Sequence, residues 1–378
     1  MKLFKAAVVL AVILAVVLVP LPVRADTAEK DPANYFSYNT KNGNIVITGY
    51  NGTDTDIEIP SEINGMPVTD INNFAFCGKK KLKTIKIPNS VTSIGNFAFW
   101  ECKSLKSVKI PDSVTSIGID AFKECISLTS VEIPDGVTSI ENSTFSQCSH
   151  LESIKLPASV TSIGEWAFAY CSSLNLIELP DNIESIGESA FYSSNIVSIK
   201  IPPKVTSIDE KTFAYCSSLV SVTLHDGIVS IGDNAFEHCI NLTSAEIPDS
   251  VKTIGSEAFK LCTSLKSLTL NNGIRSIGSN AFRTCTHLES VTIPDSIEYI
   301  GSEAFKYCSF LESIMLPEGL VVPDNAIPQT ADRIIYSTDE NGNVTIIETI
   351  KGFTPNNGKD SEDDISSGAG AFVCPELL

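Results

Sequence analysis

A phenylalanine recurs through most of this chain at a nearly constant spacing. The positions are Phe76, Phe99, Phe122, Phe145, Phe168, Phe191, Phe213, Phe236, Phe259, Phe282 and Phe305. Every step is 23 residues except that from Phe191 to Phe213, which is 22 because this unit lacks one residue. The units share the pattern L-x-x-V-x-I-P-x-x-V-x-x-I-G-x-x-A-F-x-x-C-x-x. A fixed period of this length is typical of a repeat array whose units stack on one another.

Within a unit, the spacing of the apolar residues predicts the local structure. Val108 and Ile110 alternate with Ser107 and Lys109, which is the pattern of a short β-strand with one buried face. The following proline ends the strand, and the V-x-x-I-G stretch turns the chain, with a glycine that is free of Cβ strain. The A-F pair then returns to the core from the opposite side of the coil.

A single unit is too small to fold alone. Burial of its apolar side chains contributes roughly 1.5–3 kcal/mol each, while ordering its backbone costs about 1–2 kcal/mol per residue. Stacking adds hydrogen bonds between coils and covers the open faces of each unit. We therefore predict a repeat solenoid that is β-rich, with a parallel β-sheet on one side, short irregular or helical turns, and short β caps.

These units resemble the 23-residue leucine-rich repeats of the BspA-like family of bacterial secreted and cell-surface proteins. The resemblance covers roughly Ile57 to Pro317, and the segment from Tyr35 to Pro60 is similar to the lead-in of that family. It implies the leucine-rich repeat fold, and it implies adhesion to host extracellular proteins and to other cells. The repeat itself is a scaffold that hosts many ligands, so it does not name the partner.

The first 25 residues have the layout of a secretory signal peptide. A basic start, Met1–Lys5, precedes the uncharged apolar run Ala6–Val19, and Val23–Ala25 matches a cleavage site. An uncleaved membrane anchor is the alternative, but Pro20 and Pro22 interrupt the run, which is short for a span of about 20 residues. We expect a secreted, extracellular or cell-surface-associated protein with no stable membrane insertion after cleavage.

The rest of the chain divides by composition and repeat content. After the signal peptide (1–25), we predict a β-hairpin lead-in or cap over 26–56, the solenoid of about 11 repeats over 57–320, a C-terminal β cap over 321–352 and an acidic flexible tail over 353–378. Asn42-Gly43 and Asn341-Gly342 are typical of hairpin turns in the two caps.

The charge balance excludes one class of partner. The chain holds 27 Lys+Arg against 45 Asp+Glu, a formal charge of −18, which argues against nucleic-acid binding through phosphate neutralisation. Signal cleavage removes Lys2, Lys5 and Arg24, so the mature chain carries −21.

Nine of the 11 cysteines form one column, three residues after the repeat phenylalanine. They are Cys102, Cys125, Cys148, Cys171, Cys216, Cys239, Cys262, Cys285 and Cys308. Disulfides between neighbouring coils and a metal site are alternatives, but a structural zinc site needs clustered ligands on short segments. We predict a structural ladder of buried thiols and no metal. Cys77 and Cys374 lie outside the column and are the more reactive candidates.

The outward positions of the predicted strands offer a binding face. One column is almost all serine, whereas the second varies along the stack, as a ligand-binding surface does. The candidate ligand-binding residues are Lys83, Lys86, Lys106, Lys109, Glu132, Lys155, Glu178 and Lys200. The lysine-rich end predicts an anionic partner, either an acidic protein segment or an acidic glycan. The alternative is a merely solvated face that protects the sheet from aggregation.

Two further groups of side chains are candidates for sugar binding and for catalysis. Trp100, Trp166 and the tyrosines before the column cysteines, such as Tyr170, could stack on sugars, but they form no unbroken column in the sequence. The four histidines fall at different repeat positions without a partnered nucleophile or carboxylate. We therefore expect no enzyme and no cofactor.

Taken together, the repeat, the signal peptide and the variable face predict a binding protein. We expect protein–protein binding, with adhesion to host extracellular or neighbouring-cell proteins through the solenoid sheet. The alternatives are a non-catalytic spacer or accessory module of a surface complex, and a glycan-binding module.

Overall fold

A computed structural model describes residues 35–352. The predicted signal peptide, the start of the lead-in, the acidic tail and Cys374 lie outside these residues. The described chain begins with five strands before the regular repeats. They are β1 (Phe36–Lys41), β2 (Asn44–Tyr50), β3 (Asp56–Glu58), β4 (Glu62–Ile63) and β5 (Met66–Ile71).

The repeats contain short strands, usually two in each unit. They are β6 (Thr84–Lys86), β7 (Ser93–Ile94), β8 (Ser107–Lys109), β9 (Ser116–Ile117), β10 (Ser130–Glu132), β11 (Ser139–Ile140), β12 (Ser153–Lys155), β13 (Ser162–Ile163), β14 (Ser185–Ile186), β15 (Ser198–Lys200), β16 (Ser207–Ile208), β17 (Ser221–Thr223), β18 (Ser230–Ile231), β19 (Ser244–Ile247), β20 (Thr253–Ile254), β21 (Ser267–Leu270), β22 (Ser276–Ile277), β23 (Ser290–Thr292), β24 (Tyr299–Ile300) and β25 (Ser313–Pro317). The final hairpin consists of β26 (Asp332–Thr338) and β27 (Val344–Ile350).

These strands line two sides of a β-solenoid of about 13 turns. The first ladder contains the L-x-x-V-x-I strands, which pair in parallel with identical repeat positions opposite, as in Val108 beside Ile85. The second ladder contains the two-residue strands of the V-x-x-I-G stretch, as in Ile94 beside Ile117. The predicted solenoid and its parallel sheet are confirmed. The V-x-x-I-G stretch, expected only to turn the chain, instead supplies a second set of parallel strands.

The third side of each coil carries the repeat phenylalanine on a series of turns. The N–H of Phe76 donates to Ala98 O of the next coil at 2.8 Å, and the later phenylalanines repeat this contact. Residues two before and two after the phenylalanine have left-handed backbone dihedrals, such as Trp166 (φ 56) and Tyr170 (φ 60). These turns contain no α-helix anywhere in residues 35–352, so the helical alternative for the turns is wrong.

The phenylalanines build the core. Their rings stack from coil to coil with centroids 5.0–5.7 Å apart and planes within 15° of parallel. All 11 are fully buried. Because each ring contacts only the rings of neighbouring coils, the core is one continuous column and not a globular centre.

In most units the repeat glycine lies close against the adjacent coil, although Asn72, Glu141 and Asp209 take its place in three of them. A Cβ at Gly118 would lie 2.3 Å from Asn96 Oδ1 and 2.6 Å from Asn96 N. At Gly278 it would lie 2.4 Å from Ser256 N. Neither glycine has a positive φ, so the expected relief of turn strain is not its role. Its role is to let two backbones approach closely.

One unit interrupts the first ladder. No strand forms over residues 176–178, and the next coil is the one that lacks a residue. Across this defect, Asn195 Nδ2 donates to Asn175 Oδ1 at 2.6 Å, in place of regular strand pairing. A side-chain amide pair thus stabilises the coil contact where the backbone register changes.

Both ends carry β-hairpins. The hairpin β1–β2 joins the second ladder through parallel pairing of β2 with β5, and β26 extends the first ladder by pairing with β25. The domain boundaries drawn from the sequence stay predictions. Residues 35–352 contain no helix that is both long and apolar enough to cross a membrane.

Candidate functional site

The varied column of the predicted binding face projects outward from the first ladder. Lys86, Lys109, Glu132 and Lys155 end four consecutive strands, β6, β8, β10 and β12, and all four side chains are exposed. The side chain between the two outward positions of each strand, such as Val108, is buried. Strand alternation therefore displays one charged group on each coil at a spacing of about 4.8 Å.

Neighbouring charges on this face partly neutralise one another. Lys86 Nζ lies 2.5 Å from Glu58 Oε1, and Lys155 Nζ lies 2.6 Å from Glu132 Oε1. The hydrogen bond from Lys155 lowers the pKa of the Glu132 carboxyl and raises the pKa of the Lys155 ammonium. Within the described residues, Lys109 forms no ion pair. It stands between these two pairs, and within residues 35–352 Lys109 and Lys200 are the cations of this column without an ion pair.

The lysines that precede the strands add to the basic end. Lys83 and Lys106 are exposed and stand before β6 and β8, and neither forms an ion pair with any part of residues 35–352. Hydrogen bonds from Thr84 and Thr55, with a smaller contribution from the charge of Lys83, lower the pKa of Asp56. Two other lysines of this end, Lys80 and Lys103, pair with Glu101 and Glu124 at 3.2 and 3.1 Å. The unpaired cations on or directly before β6 and β8 are therefore Lys83, Lys106 and Lys109, and Lys79 and Lys81 form no ion pair within residues 35–352 either.

A groove of about 600 Å³ opens on this face. It brings together three of the predicted residues, Lys109, Glu132 and Lys155, and adds two carboxylates that follow the strands, Asp112 and Asp135. Its lining also includes the outward Ser107 and Ser130, whereas the strand valines and isoleucines that border it are buried. The groove thus offers charges of alternating sign on neighbouring coils, which is the arrangement that protein surfaces use to select a complementary partner.

A second groove, of about 800 Å³, lies where the lead-in meets the first repeats. Its lining includes Glu58, Lys86, Asp54 and Tyr35. Of these, only Lys86 was predicted from the sequence. Glu58 stands 28 residues before Lys86, outside the 23-residue period, so only the pairing of β3 with β6 shows that the two are neighbours.

Two predicted residues stand apart from these grooves. Glu178 is exposed in the interrupted unit, which has no strand there, and Lys200 ends β15 beyond the interruption. Neither lines the groove that contains Lys109, Glu132 and Lys155. Lys200 lies beyond the missing residue of the following coil, whereas Glu178 precedes it and stands apart because its unit has no strand.

The nine column cysteines are free and buried. Each Sγ lies 3.1–3.3 Å from the carbonyl oxygen of the phenylalanine in the preceding coil, so the thiol donates to a core carbonyl. Burial raises the pKa of the Cys102, Cys171 and Cys308 thiols to about 12. Protection of these thiols in solution stays a prediction.

Cys77 has a different environment. It is half-buried, and burial together with the carboxylate of Glu101 raises the pKa of its thiol. A raised pKa lowers the thiolate fraction at neutral pH and therefore opposes the reactivity suggested by its position outside the column.

Groups for metal binding or catalysis do not come together in the described chain. Over residues 35–352, no cluster of three or more His, Cys, Asp or Glu side chains has the geometry to hold a metal ion. Nδ1 of His150 and of His287 lies 2.6 Å from the carbonyl oxygen of Ile126 and of Thr263, respectively. These two histidines therefore contact the neighbouring coil.

The aromatic side chains of this region form a continuous group of contacting rings, although they form no unbroken column in the sequence. Tyr192 lies between Tyr170 and Tyr215 with ring centroids 5.4 and 5.2 Å away, and it also contacts Trp166 at 5.3 Å. The sequence columns missed Tyr192 because it sits one position earlier in its unit than Tyr170 does. The ring of Tyr192 nevertheless contacts both Tyr170 and Tyr215, because ring contact depends on distances between coils and not on the position within the unit.

Comparison with known proteins identifies the repeats. The profile of the BspA type leucine-rich repeat region, in six copies, matches residues 69–161, 147–242 and 229–349. A leucine-rich cell-surface protein of Faecalibacterium prausnitzii has a similar structure, with 30% sequence identity and a TM-score of 0.55 over 81% of this chain and 94% of its own.

A leucine-rich repeat protein of Bacteroides ovatus is similar over 80% of this chain and 98% of its own, with 28% identity and a TM-score of 0.50. The search among curated proteins gave no match. Leucine-rich repeat proteins of this kind are generally non-catalytic. The profile matches span most of the described coils, and this chain belongs to the BspA-type leucine-rich repeat family.

Proposed function

We propose that this chain is an extracellular or cell-surface adhesion protein that holds a protein partner along its first ladder. The groove lined by Lys109, Glu132 and Lys155 supports this most directly, because it is open and offers charges of alternating sign on neighbouring coils. The proposal also rests on the family, whose similar structures include a cell-surface protein.

Charge complementarity sets the orientation of the partner. Lys83, Lys106 and Lys109 are unpaired cations on or directly before β6 and β8, so an acidic segment of the partner lies there. The paired charges further along, Glu132 with Lys155, select a partner that offers both signs. In a chain of net charge −18, the three lysines also steer an anionic segment towards this end and away from the rest of the surface.

The test is binding to immobilised extracellular-matrix proteins and heparin at about 0.05 M and about 0.5 M NaCl. We expect saturable binding to a protein that weakens at the higher salt. The triple variant Lys83→Glu, Lys106→Glu, Lys109→Glu should weaken binding about tenfold or more, chiefly through slower association.

A matched control is Lys266→Glu, because Lys266 follows a repeat leucine in the same way as Lys106 but lies far along the solenoid. It should bind like the unchanged protein. Binding only to heparin would identify an acidic glycan as the ligand. Absence of binding to every surface would favour a spacer or accessory module, and unchanged binding by the triple variant would remove the lysines from the site.

A further inference from the structure

A row of aromatic side chains runs along the turn side of the solenoid, in the coils that flank the interrupted unit. We call Trp166, Tyr170, Tyr192, Tyr215 and His238 the aromatic row. Successive ring centroids lie 5.4, 5.2 and 5.0 Å apart from Tyr170 to His238, and Trp166 lies 5.3 Å from Tyr192. The row therefore advances by about one ring per coil, a step close to the coil spacing of roughly 4.8 Å.

The fold presents two of these rings to solvent and leaves Trp166, Tyr192 and His238 half-buried. Tyr170, Tyr215 and His238 are all two residues after the repeat phenylalanine, where the backbone is left-handed (φ 60, 62 and 60). Trp166 is two residues before its phenylalanine and is also left-handed (φ 56). The side chains of Tyr170 and Tyr215 are 42% and 38% exposed.

The residue types at these positions are not those that the backbone prefers. Left-handed dihedrals favour Gly and Asn, and bulky residues are uncommon there. Other coils place Gln147, Ser193 and Thr284 at the position of Tyr170, so the repeat does not need an aromatic ring at this point. Local folding therefore does not account for a run of rings in neighbouring coils.

A groove of about 490 Å³ adjoins the row at Tyr170. Its lining consists of Ile126, Gln147, Ser149, Tyr170, Ser172 and Ser193. None of these side chains carries a formal charge, although the chain as a whole has a net charge of −18. Ser172 Oγ donates to Ser149 O at 3.2 Å, which leaves its lone pairs as acceptors facing the groove.

We propose that the aromatic row and this groove bind an uncharged glycan chain that lies along the solenoid axis. A pyranose ring has apolar C–H faces and a rim of hydroxyls, so aromatic rings can cover its faces while serine and glutamine side chains hydrogen-bond its rim. The row spans four coils, about 15 Å from Tyr170 to His238, and a regular row of rings fits a ligand that itself repeats.

Other ligand classes fit this surface less well. An anionic glycan finds no lysine or arginine in the groove lining. A protein partner needs a broad patch, about 800 Å² on each side for a stable complex, whereas this surface is a single line of rings. The row contains none of the residues assigned above to the first-ladder face, so it is a separate site on the same scaffold.

The chain offers a direct optical test, because it contains only two tryptophans. In Trp100→Phe, Trp166 is the sole tryptophan and reports on the row. This variant is titrated with uncharged hexasaccharides of β-1,4-glucose, β-1,4-mannose and α-1,4-glucose. We expect a saturable change in tryptophan emission with at least one of them.

Added in the same background, Tyr170→Ala and Tyr215→Ala should each weaken that binding by about fivefold. The control is Tyr307→Ala, which removes a tyrosine that has the same repeat position and a left-handed φ of 63 but is outside the row. It should leave the titration unchanged. Circular dichroism and thermal melting establish that all variants are folded.

Three results would overturn the proposal. They are no saturable response to any of the hexasaccharides, binding that survives both tyrosine variants, and a response confined to a basic protein such as cytochrome c, which would make the row a protein contact. Because Lys109→Glu alters only the first-ladder face, its binding of the hexasaccharides should equal that of the unchanged protein. Failure of one site is thus distinguishable from failure of the other.

Discussion

The hairpins at the two ends of the described chain are built alike and buried very differently. Each has a tight turn with a glycine of positive φ, Gly43 (φ 80) or Gly342 (φ 82), and each has one register shift. In β2, however, Ile45 and Ile47 are completely buried, whereas every residue of β27 is exposed. The turn and the pairing are local properties, but burial depends on what each hairpin packs against.

The N-terminal hairpin closes the core column. Phe36 and Tyr50 contact the ring of Phe76 at 6.4 Å, so the first ring of the stack is covered. β2 also has a strand on both sides, β1 and β5. The comparison teaches that a terminal hairpin protects a solenoid only when it covers the open end of the core.

The C-terminal hairpin covers less. β26 pairs with β25, and Tyr336 Oη donates to Ile293 O at 2.7 Å, which anchors this strand in the core. β27 pairs only with β26, so within the described chain it is an open edge with exposed Val344, Ile346, Ile347 and Ile350. The end of the core column itself is covered by the preceding loop, where Ala326 and Ile327 are buried.

The largest expected difference between the two hairpins is in core packing. Phe36→Ala should lower the free energy of unfolding by about 3–5 kcal/mol, because it removes a buried ring and uncovers Phe76. The matched change in the other hairpin, Ile347→Ala, removes an exposed side chain and should cost less than about 0.5 kcal/mol. Urea unfolding followed by circular dichroism measures both. Equal losses would mean that the hairpins contribute equally.

A smaller difference is expected at the two turns. At both Gly43 and Gly342 a Cβ meets no atom within 4 Å, so alanine carries only the penalty of a left-handed backbone, roughly 1–2 kcal/mol. Gly43→Ala should lower the unfolding midpoint in urea, since its hairpin covers the core. Gly342→Ala should leave the midpoint almost unchanged and accelerate amide hydrogen exchange in β27. The reverse pattern would contradict the comparison.

The smallest effect concerns two tyrosines, one at each end. Burial and the carboxylate of Asp54 raise the pKa of Tyr50 to about 12, and burial with Asp295 raises that of Tyr336 to about 12. Since the folded state keeps these protons longer, their contribution to stability is intact below pH 10 and is lost as the pH rises towards 12. Ultraviolet absorbance of the phenolates should show Tyr50 and Tyr336 titrating late, together with Tyr192, whose pKa burial also raises.

Tyr50→Phe and Tyr336→Phe should each remove one of these late titrations. The exposed Tyr299 serves as the control, because Tyr299→Phe should leave both in place. If either phenylalanine variant kept as many late titrations as the unchanged protein, the assignment of that tyrosine to a buried end of the solenoid would fail.

The repeat alone determined the solenoid and its core. Apolar residues that recur every 23 positions must meet their equivalents in the next coil, so Phe122 stacks on Phe99 and Phe145. In the same way, Cys125 donates to the carbonyl oxygen of the phenylalanine in the preceding coil, as the other column cysteines do. The outward alternation of the first ladder, with Lys109, Glu132 and Lys155 on one face, followed from strand geometry in the same way.

The tertiary structure alone decided the features that depend on distances between atoms of neighbouring coils. The pairing of Lys86 with Glu58, the second ladder and the close approach at Gly118 all involve atoms whose distance is set by how one coil lies on the next. The aromatic row is the clearest case, because Tyr192 occupies a different repeat position from Tyr170. A column of letters records position within the unit, whereas ring contact depends on distances in space.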